Sequence, residues 1–292
     1  MFKRKHQAAA RDFQKEDLPS DRKEVFFDLL KYRFDLIMKN GLLLFLFLLP
    51  AFLLAFGHHF IMENIHHRFI SSEITETEYL SLITAYRNTK NVVLIFCLLI
   101  FSIGLSGIIR ITKMMVWYDY IFYSSDFVTG IKQNFKHLAV LSILYGLVNY
   151  LNGFLMGIKI EGRNSNLINP LLKALPLGFT LILFIPISLL VISEISVYDN
   201  NFLKRLRNGT EIYFNTFIKT AGMTFILLSP LAFVLLINNV FVQIAIMIAL
   251  SIFYLPIIII IWLLYSYSVF DLYINVKLYP ELVDKGINRK KE

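Results

Sequence analysis

The apolar residues of this chain fall into long uninterrupted stretches. Charge-free runs cover Gly41 to Gly57, Asn91 to Ile109, Leu138 to Ile158, Ala174 to Ser193, and a final stretch from Ala221 to Phe270. About 20 such residues make a helix that crosses a hydrocarbon core of roughly 30 Å, so each of the first four runs predicts one span. The last is about twice that length and holds Asn238 and Asn239. Two amides deep inside one long helix would be costly, so it reads as two spans joined by a tight turn. The pattern predicts an all-α, polytopic bundle of six transmembrane helices arranged as three hairpins.

A second periodicity lies between the spans. From Glu24 to Asn40, Phe26, Leu29, Leu30, Phe34 and Ile37 recur at helical spacing, as an amphipathic helix on a membrane surface does. Phe127, Ile131, Phe135 and Leu138 repeat the device in a second segment, and Leu206, Tyr213, Phe214 and Phe217 in a third. An aromatic-aspartate pair opens each unit: Phe27-Asp28, Tyr118-Asp119, Tyr198-Asp199 and Phe270-Asp271. These aspartates, Asp28, Asp119, Asp199 and Asp271, are expected to cap helices restarting at the interface while the rings sit at headgroup depth. The implied unit is surface helix, outward span and inward span, used three times, with the tail as a degenerate fourth surface helix. The chain divides into a flexible cytoplasmic arm over 1–23, the six-helix domain over 24–270 and a basic tail over 271–292.

Composition agrees with a lipid solvent: 57% of residues are hydrophobic and 17% charged, with a mean hydropathy of +0.61. Alternate connections carry 23 lysines and arginines against 6 in the others. The positive-inside bias then places both termini in the cytoplasm. A net charge of +8, concentrated on that face, implies contact with anionic lipids, and no groove-reading motif points to nucleic acid. The charged first 40 residues do not resemble a cleavable signal peptide. Cys97, the single cysteine, falls inside the second apolar run and reads as a packing residue.

Few residues suggest chemistry. His59, Glu63, His66 and His67 recur on one helical face in the first outward loop and are candidate zinc ligands, although without HExxH spacing. Their other readings are a pH-responsive patch or an ordinary interfacial helix. Asn149 and Asn152, three apart in the third span, would either hold helices together or contact a polar solute. Gly104, Ser106 and Gly107 form a small-residue patch suited to close helix approach. Glu194 lies at the inner end of the fourth span, and no acidic or basic residue falls at a midplane position of the kind an ion-coupled carrier uses. No soluble-enzyme signature occurs, so no cofactor is expected and the chain reads as non-enzymatic.

The run Ser125-Asp126-Phe127-Val128-Thr129-Gly130-Ile131-Lys132-Gln133-Asn134-Phe135-Lys136 resembles the central signature of the YesL-like family of small bacterial integral membrane proteins. The resemblance is clearest from Lys39 to Ile158 and extends to Phe270-Asp271, Tyr279-Pro280-Glu281 and Lys285-Gly286 in the tail. This chain differs in its added N-terminal arm and bulky first outward loop. The resemblance implies a multi-pass protein of the bacterial plasma membrane serving carbohydrate uptake, accessory or regulatory to an ABC-type importer whose subunits would be its partners. It carries over no catalytic residues. The alternative is a small-solute channel or permease in its own right, with Asn149 and Asn152 lining the path.

Overall fold

A computed structural model of the chain describes residues 18–158, 165–234 and 236–288, and all regular structure among them is helical. Six helical segments are long and apolar enough to cross a membrane: Phe34–Ile70, Glu76–Val116, Tyr123–Leu155, Ile168–Val197, Phe217–Val234 and Val240–Leu278. The chain is therefore a polytopic helical membrane protein. In chain order the helices are α1 (Arg22–Tyr32), α2 (Phe34–Ile70), α3 (Glu76–Val116), α4 (Tyr123–Gly157), α5 (Ser165–Gly178), α6 (Ile185–Val197), α7 (Phe202–Asn215), α8 (Phe217–Val234), α9 (Val240–Ala249), α10 (Leu255–Phe270) and α11 (Val276–Leu278). The long final run does break at its amides, and Asn239 caps α9 by accepting a hydrogen bond from Val242 N at 3.1 Å.

The three units expected as repeats are built differently. The segment expected as one amphipathic helix from Glu24 breaks at Arg33 (φ −128°, ψ 24°), so α1 stands apart and Phe34 already belongs to the first span. In the second unit no break intervenes, and surface stripe and span form the single helix α4. The third unit keeps a separate surface helix, α7, which ends at Thr216. At the tail, the last helix runs past Phe270 through a π turn to Leu278. The arm is partly structured as well: Pro19 is buried, its carbonyl accepts from Asn288 N at 2.8 Å, and α1 begins at Arg22. Residues 1–17 of that arm lie outside the described residues.

Small residues set the closest helix contacts. A Cβ at Gly107 would overlap the Phe127 ring, and one at Gly104 the Phe47 ring. Gly130 in turn faces Ser106 O at 2.8 Å from its ideal Cβ position, and Asn134 Nδ2 donates to the same carbonyl at 3.2 Å. α3 and α4 therefore pack backbone to backbone at the patch that the sequence marks.

Proline shapes the later spans. π turns over Phe179–Phe184 and Leu250–Tyr254 precede Pro186 and Pro256. A proline lacks the N–H that the carbonyl four residues earlier would accept, and that carbonyl needs another partner in lipid. The Tyr213 hydroxyl of α7 donates to Ile182 O, four before Pro186. Ser229 Oγ serves Ile226 O, four before Pro230, at 2.9 Å. Tyr213→Phe is expected to cost about 1 kcal/mol by removing the hydroxyl's bond to Ile182 O. Thermal unfolding in detergent would measure this, and an unchanged midpoint would count against the assignment.

Candidate functional site

The strongest concentration of buried polar groups lies at the basic end of the bundle, where α1, α7, the tail and the C-terminal ends of spans four and six meet. Arg22 Nη2 reaches Asp271 Oδ2 at 3.0 Å, with the two side chains only 10% and 6% exposed. Its Nη1 donates to Lys285 O at 2.7 Å. Asp271 Oδ1 accepts from Asn275 Nδ2 at 2.7 Å, and Asn275 Oδ1 accepts from the Tyr198 hydroxyl at 2.6 Å. Arg205 Nη2 then donates to Tyr198 O at 2.6 Å. One hydrogen-bonded chain thus links three regions far apart in sequence: Arg22, Tyr198 with Arg205, and Asp271 with Asn275 and Lys285.

The Tyr198 ring packs on Phe270 and stacks on Tyr279 with centroids 5.0 Å apart. Burial pushes its hydroxyl pKa upward, and the Glu194 and Asp271 carboxylates add to the shift. Burial lowers that of Arg205, against the opposing pull of Glu194 and Asp199. Glu194 is fully buried beside this chain, faced by Asn208, Arg205 and Lys204, and neither carboxylate oxygen makes a hydrogen bond of ordinary geometry. Ser193 bonds Ser266 at 3.0 Å and Ser196 bonds Tyr267 at 3.0 Å, tying the same two spans together just above it.

Two smaller junctions flank the network. Tyr118, held at φ 58°, donates to Asp28 Oδ2 at 3.2 Å, joining the connection after α3 to α1. Arg110 contacts Gln133 at 2.7 Å and Asp126 at 3.4 Å, while Asp126 Oδ2 accepts from Phe122 N at 2.8 Å where α4 begins.

The expected interfacial caps need correction. Asp21 caps α1 and Asn201 caps α7. Asp28 instead lies within α1 and bonds Tyr118, and Asp271 lies within a continuing helix and pairs with Arg22. Asp119 and Asp199 precede helices whose N-cap residues are Phe122 and Asn201. A capping oxygen must stand at the last non-helical position to reach the free N–H groups, and none of the four does.

The candidate zinc ligands also need correction. His59, Glu63, His66 and His67 all lie on α2, and among the described residues no three His, Cys, Asp or Glu side chains come together as a ligand set. His66 instead meets the Tyr79 hydroxyl at 3.3 Å. Clefts of about 300 and 330 Å³ open at this end of the bundle, the second lined by Phe52, Phe56, His58, His59, Gln243 and Met247.

Asn149 and Asn152 do face neighbouring helices. Asn149 Nδ2 donates to Asn91 Oδ1 of the second span at 3.2 Å, and Asn152 Nδ2 to Thr180 Oγ1 of the fourth at 2.7 Å. Both amides act between helices. Arg22, Asn275 and Arg205, which complete the network, escape the sequence reading; the only legible hint is Asn275 one turn after Asp271 in an otherwise apolar segment.

No known protein family, curated protein or solved structure matches this chain.

The buried tyrosines make alkaline pH a test of this end. Tyr118 has its pKa raised, first by burial and then by the Asp28 carboxylate. Below about pH 10 the group is neutral folded or unfolded; above it the unfolded chain loses the proton first, so stability falls as pH rises. Stability is expected to decline from about pH 10, more shallowly in Tyr118→Phe. Identical alkaline profiles for the two proteins would contradict the assignment.

Proposed function

We propose that this protein is a non-enzymatic accessory or regulatory component of a membrane uptake system, with the layer at its basic end as the contact surface. The layer would face the cytoplasm of a bacterial plasma membrane, as the distribution of lysine and arginine implies. The partner class, subunits of an ABC-type carbohydrate importer, follows from the resemblance of residues 125–136 and of the tail to the YesL-like family.

The observation that carries this reading is the junction of α1 and the end of the last span with α7 through Arg22, Asp271, Asn275, Tyr198 and Arg205. It fixes in one rigid layer elements that otherwise would move separately, and a rigid surface loses less entropy on binding. Phe27, Phe34 and Leu203 of that layer are 57%, 49% and 75% exposed. The pairing of Asn149 with Asn91 and of Asn152 with Thr180 favours this reading over a solute channel, because each amide is already engaged by a neighbouring helix.

Copurification after gentle cross-linking in native membranes is expected to recover importer subunits, and to lose them when Phe27 and Leu203 are both replaced by aspartate. Recovery of no importer subunit would overturn the reading. Sugar uptake by proteoliposomes holding only this protein would favour the permease instead.

A further inference from the structure

We propose that Lys113 and Lys285, which converge on the Trp117 ring, form a binding site for the phosphate of an anionic phospholipid headgroup. Lys113 Nζ lies 4.8 Å from the centre of the Trp117 ring and Lys285 Nζ lies 4.0 Å from it. One lysine comes from the last turn of α3 and the other from the tail, 172 positions later in sequence, so this convergence is a product of the fold.

The tail is seated to produce it. Gly286 adopts φ +84°, and a Cβ there would overlap Val116 O and stand 3.0 Å from Trp117 Cα. Only glycine lets the tail lie so close to the end of α3. The Lys285 carbonyl accepts from Arg22 Nη1 at 2.7 Å, and Asn288 N bonds Pro19 O on the far side. Lys285 is therefore held in place at its backbone.

An indole face attracts one cation well, but two ammonium groups drawn to one ring repel each other. Arg110, one turn before Lys113, adds positive field, although its guanidinium is engaged by Gln133 and Asp126. Asp119 is the carboxylate that acts on Lys113, against Arg110 and Lys285. A phosphate oxyanion within reach of both ammonium groups would relieve the repulsion. Tryptophan settles at headgroup depth, and Tyr120 and Phe122 in the following connection are 66% and 65% exposed, as befits that depth. The anion present there at high concentration is the phosphodiester of an acidic lipid.

Native mass spectrometry of the full chain in non-ionic detergent tests the site, using phosphatidylglycerol, phosphatidylcholine and inorganic phosphate as probes. Saturable phosphatidylglycerol binding is expected, roughly tenfold weaker in Lys113→Gln/Lys285→Gln and unchanged in Lys23→Gln/Lys277→Gln, which removes equal charge elsewhere. Equal weakening in both doubles would reduce the effect to diffuse charge and overturn the proposal. So would phosphatidylcholine binding as tight as phosphatidylglycerol, or phosphate displacing the lipid at comparable concentration. Should the double variant fail to fold, Lys285→Gln alone must weaken binding about threefold while Lys285→Arg retains it. Importer capture is not needed for either result, so this test and that of the proposed function fail separately.

Discussion

Arg22→Ala is expected to destabilise the protein by about 3 kcal/mol, because it leaves the Asp271 carboxylate buried without its counter-charge. The pair is 3.0 Å apart and 10% and 6% exposed, so water screens it little. Loss of the guanidinium also strands Lys285 O and frees α1 from the tail. By contrast, Arg207 and Glu211 are just as close, at 2.9 Å, but 80% and 59% exposed. Their disruption should cost no more than about 0.5 kcal/mol. Arg22→Met/Asp271→Leu should recover part of the loss, since removing both charges also removes their desolvation cost. Unfolding in a mixed-detergent titration, followed by circular dichroism, measures all three. A single Arg22→Ala effect as small as that of Arg207→Ala would show that the network does not hold the layer together.

Such long-range pairing is the part of the fold that local pattern does not carry. The six spans were legible because hydrocarbon imposes a length and a polarity on each helix separately. The break at Asn238-Asn239 was legible for the same reason, and the patch of Gly104, Ser106 and Gly107 because a missing side chain is itself a packing statement. Arg22 meets Asp271 across 249 positions, and nothing near either residue announces the other. The aromatic-aspartate pairs misled in a specific way. They fall near helix ends, but the caps are Asp21 and Asn201, and at Asp271 the helix continues without a stop. The periodicity from Glu24 to Asn40 did not reveal the break at Arg33, since α1 and α2 share apolar spacing on either side of it. With Asn149 and Asn152 the sequence showed two amides at one-turn spacing, and only the fold could supply Asn91 and Thr180.

Gly41 carries the second large effect, and the reason joins a proline to a glycine on another helix. Pro256 denies a donor to the Ile252 carbonyl four residues earlier, in the π turn before α10. That carbonyl points at α2, where a Cβ on Gly41 would overlap its oxygen and stand 3.1 Å from Pro256 Cγ. Neither obstacle is the movable end of a flexible side chain, so the helices must separate or α2 must shift. Gly41→Ala should therefore cost about 2–3 kcal/mol, in the range of overpacked cores. Gly57 lies on the same helix with nothing within 4 Å of its ideal Cβ position. Gly57→Ala should gain up to about 1 kcal/mol from helix propensity. The sign difference between two identical substitutions on one helix isolates the close approach from any general effect of alanine. If both variants unfold at the same temperature in detergent, the first and last spans do not meet through the Ile252 carbonyl, and the packing of α2 against the π turn is wrong.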